Sequence, residues 1–495
     1  MVGSAGFSLK ARVARSVFWL AWSRGVVQLL SFVTTILVAR ILVPADYGVM
    51  AIASVFTGMG GILAEMGLGR AIIQFRDLDR REIDTCFWIT MTVAMIAYAV
   101  LSLGAPIIAR WFGVPRLADV LPVLAVVLPL TACSIVSDSL LRKRLALDRI
   151  SQAEIIGAAV ALPVMLGCAL SGLGVWTLVV GALASVVIKD LAIFAFAPWF
   201  PGLRIGGERA REMLHFALTT LGITTMWALR EQADVLVIGK ITGQVSVGLY
   251  SMAKDLAMLP TNKISSAVNM LSSPMMAELQ TNIEAMRRAF YRAARLTSAI
   301  ALPASTGLAL VADDVVAALL GPRWLPAVAL LRLLCIYSAV RALEVMLPPV
   351  LFARLRHRFL FWWYLALLVV VPAVTVLGAE WDGAAGAVKF FTPAYCVLIS
   401  ILTKKVLAEL KGSFLELWSE TWPILTATAT MAVVVLLLRK FILGAVPEPP
   451  LVELILLSVS GAVTYLGVLL AVGRTVVGEG AEVIGWIILR HRSID

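Results

Sequence analysis

The residues of this chain best placed to do chemistry are charged side chains set inside long apolar runs. Arg24 stands in the run 16–43, with Gln28 one helical turn away. Arg230, Glu231 and Asp234 fall in 213–239, and Lys254, Asp255 and Lys263 in 247–270. Lys189 and Asp190 lie in 174–197, Arg332, Arg341 and Glu344 in 326–352, and Lys389 in 384–403. A charge at mid-bilayer costs about 3 kcal/mol on insertion scales, so each of these is expected to face a protein or water interior rather than lipid. Counted from Ser16 at about 1.5 Å per residue, Arg24 sits roughly 12 Å into its run, near the midplane. A planar guanidinium there can clamp a phosphate through paired hydrogen bonds, or it can bridge to an acid on another span. Arg230 and Asp234 can share one helix face, where they either neutralise each other or present a charge to a ligand. Lys189 and Asp190 are adjacent, about 100° apart on a helix, so one is expected to face a cavity while the other snorkels. Basic residues slightly outnumber carboxylates within the runs, which points to an anionic ligand. Glu65, Asp190, Asp234 and Asp255 are candidates for a coupling proton or sodium ion.

No catalytic constellation accompanies these charges. His215, His357 and His491 are far apart in the chain. The Gly239–Lys240 pair lacks the upstream glycine of a phosphate-binding loop, so direct ATP coupling within the chain is not expected. Asp77 and Asp79 form a D-x-D in a short arginine-rich loop, without the nucleotide domain that such a motif needs to hold a metal-bound sugar nucleotide. Cys86, Cys133, Cys168, Cys335 and Cys396 each lie in an apolar run without metal-ligand spacing and read as small apolar filler. No cofactor or metal is implied.

The elements that must position these residues are membrane helices. Hydrophobic residues make up 60 % of the 495 and charged residues 15 %, against about 25 % charged in a soluble domain. The start, with Lys10, Arg12 and Arg15 before a long apolar stretch, has no small-residue cleavage site and reads as a retained first span. A span needs about 20 mostly apolar residues. Fourteen stretches qualify: 16–43, 47–69, 85–109, 118–139, 150–171, 174–197, 213–239, 247–270, 296–320, 326–352, 359–378, 384–403, 421–441 and 451–472. Lysine and arginine concentrate on alternate connections, with Arg70, Arg76, Arg80 and Arg81 in one and Arg142, Lys143, Arg144 and Arg149 in another. The positive-inside rule then puts both termini in the cytoplasm of a multi-pass inner-membrane protein. The net charge of +11 is mostly this inner-face excess. It suits anionic membrane lipids and calls for no nucleic acid. The arginine-rich stretch 271–295 has helical periodicity and reads as an amphipathic helix on the inner face or a solvated connector.

An internal repeat organises the spans. Residues 36–53, ILVARILVPADYGVMAIA, align with 236–253, LVIGKITGQVSVGLYSMA, at a constant offset of 200. Ile41/Ile241, Gly48/Gly248 and Ala53/Ala253 are identical, and Arg40/Lys240 are both basic. An even number of spans separates the copies, so both enter the membrane in the same direction. Parallel repeats of this kind characterise transporters. The expected architecture is an all-α polytopic membrane protein with two parallel six-helix lobes around a central cavity, 1–205 and 206–412. Two extra helices and a cytoplasmic tail follow in 413–495.

Several segments in order resemble one family. They are SRGVVQLLSFVTTILVARILVPADYGVMAIASVF (23–56), EMGLGRAIIQFRDLDRREIDTCFW (65–88), LLRKRLALDRISQAEIIG (140–157), GLGVWTLVVGALAS (172–185), LREQADVLVIGKITGQVSVGLYSMAKDLAMLP (229–260) and GPRWLPAVALLRLLC (321–335). The set resembles the polysaccharide-transport, Wzx-type flippases of the multidrug/oligosaccharidyl-lipid/polysaccharide (MOP) superfamily. It covers about residues 15–340. The resemblance implies a sugar repeat unit on a polyprenyl pyrophosphate, moved from the cytoplasmic to the outer leaflet by alternating access. It also implies that cavity cations bind the pyrophosphate: Arg24, Arg230 and Lys254 by motif position, alongside Gln28, Arg332 and Arg341 from the buried-charge reading. Lys254 stands where the resemblance implies an arginine, and an ammonium lacks the bidentate fork. The implied partners are the lipid-linked oligosaccharide, membrane lipids, and a polysaccharide polymerase with its chain-length and export machinery.

Other classes fit less well. A multidrug exporter of the same superfamily would share the fold but favour a more acidic cavity for cationic cargo. An integral-membrane polymerase or glycosyltransferase needs a larger extramembrane domain than these short loops provide. A purely structural scaffold leaves the buried charges without a purpose.

Overall fold

The computed structural model describes residues 25–75, 78–203, 206–207, 209–441, 449–474, 476, 478 and 479. Regular structure among them is entirely helical. Helix α1 covers Gly25–Ile41. Then come α2 (Pro44–Glu65), α3 (Leu68–Gln74), α4 (Arg80–Phe112), α5 (Leu117–Ala125), α6 (Val127–Lys143), α7 (Leu147–Leu170) and α8 (Val175–Phe196). The second half holds α9 (Ala210–Glu278), α10 (Ile283–Leu310), α11 (Ala312–Val315), α12 (Ala327–Glu344), α13 (Leu347–Ala353), α14 (His357–Glu409), α15 (Phe414–Phe441) and α16 (Pro450–Val472). Among the described residues nine helices are long and apolar enough to cross a membrane, or ten when a bent pair counts as one span.

Local chemistry explains where these helices start and break. Pro44 opens α2 at the first helical position, where its missing N–H costs nothing. Asp79 and Glu82 form a capping box at the start of α4. The two longest helices, α9 and α14, each break along their length. At about 1.5 Å per residue, α14 would be roughly 80 Å long if straight, against about 30 Å of hydrocarbon. Its backbone turns at Asp382 and Gly383, the latter at φ 57°. Gly378 and Gly386 then lie so close that a Cβ on either would overlap the other's carbonyl oxygen. The corresponding break in α9 is Gly243, at φ 80°, a value that only glycine adopts without strain.

On α4 the exposed apolar residues Ile96, Val100, Leu103, Ile107 and Trp111 recur every three or four positions. They form one outward stripe fit for lipid. The stretch 271–295 makes no separate surface helix. It divides at a turn between α9 and α10, and Arg287, Arg288, Arg292 and Arg295 lie on the first turns of α10, continuous with the ninth expected span. Asn282 caps that helix by accepting from the Ala285 N–H at 3.0 Å.

By its internal contacts the chain forms two compact units, residues 1–248 and 249–495. In the first unit, α7 packs along α8, and α4 packs on α5 and α6. The segment after α8 is stitched onto the start of α4 by buried polar groups. Asp84 accepts the Gly202 N–H at 3.1 Å and Glu82 accepts the Arg209 N–H at 3.1 Å. The Thr85 hydroxyl and the Gly206 backbone exchange two hydrogen bonds, and the Trp88 indole donates to the Gly202 carbonyl at 2.9 Å. In the second unit, α10 packs on α12 and α15, α12 on α14, and α15 on α16. Ile424, Met431, Leu457 and Tyr465 form an apolar core there, and the Tyr465 hydroxyl donates to the Ala299 carbonyl at 2.7 Å. The expected lobe limits at 205 and 412 fall between α8 and α9 and in the turn between α14 and α15.

Candidate functional site

In the second unit the buried charge centres on the C-terminal half of α12. Tyr337, Arg341 and Glu344 follow one another at i, i+4 and i+7 and so share one helix face. An Arg341 Nη1–H donates to the Tyr337 hydroxyl at 3.2 Å and stands 3.7 Å from a Glu344 carboxylate oxygen. The Tyr395 hydroxyl, on the second half of α14, donates to that same carboxylate. The Tyr337 ring lies 4.7 Å from Phe391 and 4.8 Å from Tyr395, centroid to centroid. Glu344 is only 5 % exposed. A buried ion pair persists when the remaining lone pairs and protons are satisfied, and the two tyrosines supply that satisfaction.

A polar seam joins this face to α9. The Ser338 hydroxyl donates to the Ala257 carbonyl at 2.7 Å and lies 2.6 Å from the Thr261 hydroxyl. Ser338 and Thr261 are fully buried. Lys254, Ala257 and Thr261 recur at i, i+3 and i+7, so Lys254 projects from the face that meets α12. Its ammonium stands 5.9 Å from the centre of the Tyr250 ring. Lys254 is one turn from the seam on α9, and Arg341 is one turn from it on α12. The seam thus joins the two helices that carry these expected cations. Asp255 is exposed, on a different face of α9 from Lys254.

The other expected residues have separate settings. Arg332 pairs with Asp313, and both are well exposed. Arg439 joins the same carboxylate at 3.4 Å and reaches Asp314 at 3.3 Å. This cluster lies toward the opposite end of α12 from Arg341. Lys389 bonds Asp382 at 2.6 Å beside the α14 turn. Arg230 pairs with Glu231 at 2.9 Å, with a side chain only 7 % exposed. Asp234 is buried and accepts the Val235 N–H at 2.8 Å. Gln28 is half-buried on α1, and Glu65 is exposed at the end of α2. Arg24, the side chain of Lys263 and Asp77 of the D-x-D lie outside the described residues.

A second charged group occupies the first unit and was only partly visible in the sequence. Lys189 reaches its neighbour Asp190 at 3.5 Å. The flexible lysine stem thus overcomes the angular separation expected of adjacent helix positions. Asp190 also feels Ser134 and Asp138 on α6. Asp138 accepts from Arg142 at 2.6 and 3.2 Å, and the charges of Glu65 and Glu154 act on the same arginine. Four helices thereby contribute acids to one neighbourhood that holds Arg142 and Lys189. Asp138 and Glu154 were missed in the sequence reading, and Arg142 was counted there as a connection residue. The i, i+4 spacing of Asp138 and Arg142 was the available signal.

Charged groups buried among long apolar helices fit a multi-pass membrane protein, and the solved structures share the fold. The fold matches "Lipid II flippase MurJ, inward closed conformation" with a TM-score of 0.72 at 11 % identity, over 92 % of this chain and 99 % of that one. Among curated proteins, the chain is 24 % identical over 464 residues to the succinoglycan biosynthesis transport protein ExoT of Rhizobium meliloti (strain 1021), covering 94 % of each. It is 22 % identical over 386 residues to the lipopolysaccharide biosynthesis protein WzxC of Escherichia coli (strain K12), covering 77 % of each. The family model described as "Polysaccharide biosynthesis protein" matches residues 37–329, well over half of the chain. The chain belongs to this polysaccharide biosynthesis family, and its curated relatives include a protein named for transport.

Proposed function

We propose that this protein flips a polyprenyl-pyrophosphate-linked oligosaccharide repeat unit from the cytoplasmic to the outer leaflet of the bacterial inner membrane. The product feeds exopolysaccharide, capsule or lipopolysaccharide synthesis. The observation that carries the reading is the buried Arg341–Glu344–Tyr395 group set among apolar helices, with Lys254 on the helix that the Ser338–Thr261 seam joins to it. A pyrophosphate cannot cross about 30 Å of hydrocarbon unaided. Cations held near mid-span lower that barrier, while the polyprenyl tail stays in lipid. Glu344 and Tyr395 act as positioning residues: they balance and orient Arg341 until an anion competes for it.

The proposed architecture is fourteen spans with both termini cytoplasmic. Two six-helix lobes, 1–205 and 206–412, alternate access to a central cavity, and 413–495 supplies the last two spans and a tail. The proposed anion-binding set is Arg24, Gln28, Arg230, Lys254 and Arg341; Arg332, expected from the sequence to join it, is instead held in the exposed cluster with Asp313 and Arg439. Glu65, Asp190, Asp234 and Asp255 are the proposed carriers of a coupling proton or sodium ion, with Asp138 and Glu154 now added beside Asp190. A polysaccharide polymerase and its chain-length and export machinery would receive the flipped unit.

Deleting the gene tests the cargo. Lipid-linked sugar repeats should accumulate facing the cytoplasm while surface polysaccharide is lost. Normal polysaccharide with altered drug tolerance would overturn the reading in favour of an exporter.

A further inference from the structure

One backbone turn occurs in both compact units and carries a leucine where glycine is the usual choice. After α6, Arg144 at φ −80° is followed by Leu145 at φ 57° and Ala146 at φ −82°, and α7 begins. After α13, Arg354 at φ −86° is followed by Leu355 at φ 57° and Arg356 at φ −90°, and α14 begins. The closing hydrogen bonds match as well. The Leu145 and Ala146 N–H groups donate to the Arg142 and Leu141 carbonyls at 3.0 and 2.9 Å. The Leu355 and Arg356 N–H groups donate to the Phe352 and Leu351 carbonyls at the same two distances. A helix end of this form needs a left-handed residue, which glycine supplies freely and a Cβ makes costly. Strain of this kind at an exposed apolar side chain points to a use for that side chain. Leu355 is 75 % exposed, and Leu145 about half exposed.

The second of these turns is ringed by cations. Glu409, at the end of α14, has a side chain only 7 % exposed. Arg356 reaches it at 2.8 Å, Lys405 at 3.0 Å and Arg354 at 4.0 Å. Three cations thus share one carboxylate, and two positive charges stay unbalanced. The Arg354 Nε is enclosed and has no hydrogen-bond acceptor among the described residues. Arg356 is half-exposed and bonds Glu409 through Nε, so its paired Nη groups remain for a second anion. Lys405 is steadied by the Phe359 ring, 5.8 Å from its centre, and that ring stacks on Trp363. Phe352, beside the turn, is also exposed.

We infer that the α13–α14 turn is a binding site for an anionic phospholipid. The Arg356 fork and the Lys405 ammonium take the headgroup phosphate, and Leu355 and Phe352 enter the top of the acyl region. The turn joins the apolar stretches 326–352 and 359–378, so it stands where spans end and headgroups begin. A soluble phosphate would use the cations but leave the strained leucine idle. A zwitterionic lipid would use the leucine but not the surplus charge. A phospholipid with a net negative headgroup uses both. This lipid is a bound component of the protein and not its cargo, so the site does not depend on which sugar is carried.

The test uses the full-length protein, purified in detergent and stripped of lipid. Titration with phosphatidylglycerol should raise its melting temperature and saturate. Phosphatidylcholine or inorganic phosphate at the same concentrations should not. Arg356→Gln and Lys405→Gln should each weaken the apparent phosphatidylglycerol affinity about fivefold, the worth of one basic residue at an anionic surface. Leu355→Gly removes the apolar tip and relieves the left-handed strain. It should melt no lower than the parent in detergent alone, yet lose phosphatidylglycerol affinity severalfold. A leucine that served the fold alone would not separate those two readouts. The site is wrong if phosphatidylcholine stabilises equally, or if inorganic phosphate alone reproduces the shift. It is equally wrong if all three variants respond as the parent does. Displacement of the phosphatidylglycerol by a lower concentration of a polyprenyl pyrophosphate would also overturn it, by making the turn a cargo site. Loss of the lipid response would leave the flipping proposal standing, since gene deletion tests that separately.

Discussion

The two ends of α12 each hold an arginine, nine residues apart in the chain, and the protein uses them differently. Toward the C-terminal end, in the protein interior, Arg341 is bound to Tyr337 and Glu344, and Glu344 is bound in turn to Tyr395. The other end has Arg332 on Asp313, exposed, with Arg439 sharing the same carboxylate. The inner group is dry and linked to aromatic rings. The outer group is wet and ties the end of α15 to the α11 region, where Arg439 also donates to the Leu310 carbonyl at 2.9 Å. Depth and company, rather than residue type, separate the buried arginine proposed to meet a ligand from the exposed one that fastens the fold.

The sharpest way to break that contrast is Arg341→Ala. Charge-assisted hydrogen bonds are worth about 1.5–3 kcal/mol, so transport of lipid-linked sugar into vesicles should fall roughly tenfold to a hundredfold. Removing one partner of a buried pair also costs about 3–5 kcal/mol of stability, so abundance must be followed beside flux. The double variant Arg341→Met with Glu344→Leu separates the two effects. A buried ion pair replaced by apolar residues is often close to neutral for folding. The double variant should therefore fold normally and still fail to transport. Normal flux in it would show that the inner group serves structure alone.

Lys254→Ala should have the next largest effect, a severalfold loss of flux with little change in stability. The ammonium is half-buried and leans on Tyr250 through a cation–π contact worth about 0.5–1 kcal/mol. Lys254→Arg provides the sharper comparison, because a bidentate fork binds phosphate better than a point charge. Flux at low cargo concentration should be kept or raised. A loss equal to that of Lys254→Ala would mean that the shape of the site, and not its charge, decides.

Tyr395→Phe probes the inner group more gently. It deletes one hydrogen bond to Glu344 and keeps the ring packing with Tyr337 and Phe391. The cost should be about 1 kcal/mol in thermal stability measured in detergent, with flux reduced severalfold at most. A change confined to stability would make Tyr395 a strut. A change in flux at unchanged stability would make it a positioning residue for Arg341.

Sequence reading reached the helices more easily than the partners. Apolar runs announce spans, because hydropathy is a local property, whereas the turns at Gly243 and Gly383 were not singled out. The i, i+3 neighbours Arg341 and Glu344 were also visible as charges in one span. Tyr395 was not, because it arrives from another helix 51 positions away. The hold of Asp313 on Arg332 across the Gly321 turn could not be seen from spacing alone. The stretch 271–295 misled because helical periodicity describes a helix equally well whether it lies on a surface or continues into a span. The offset-200 repeat was legible as letters, but the matching turns at Leu145 and Leu355 required the backbone.

Arg332→Ala should have the smallest effect, and it decides whether the contrast along α12 is real. Exposed ion pairs are worth roughly 0–1 kcal/mol, because water already solvates both partners. Asp313 would keep Arg439 at 3.4 Å after the substitution, so no carboxylate is stranded. Flux should therefore stay within about twofold of the parent, and the melting temperature in detergent should barely move. Raising the salt concentration should shrink even that difference, since exposed pairs are screened. A tenfold loss of flux at normal abundance would falsify the assignment of Arg332 to the outer fastening. The anion path would then run the length of α12, past both arginines, and burial would no longer distinguish them.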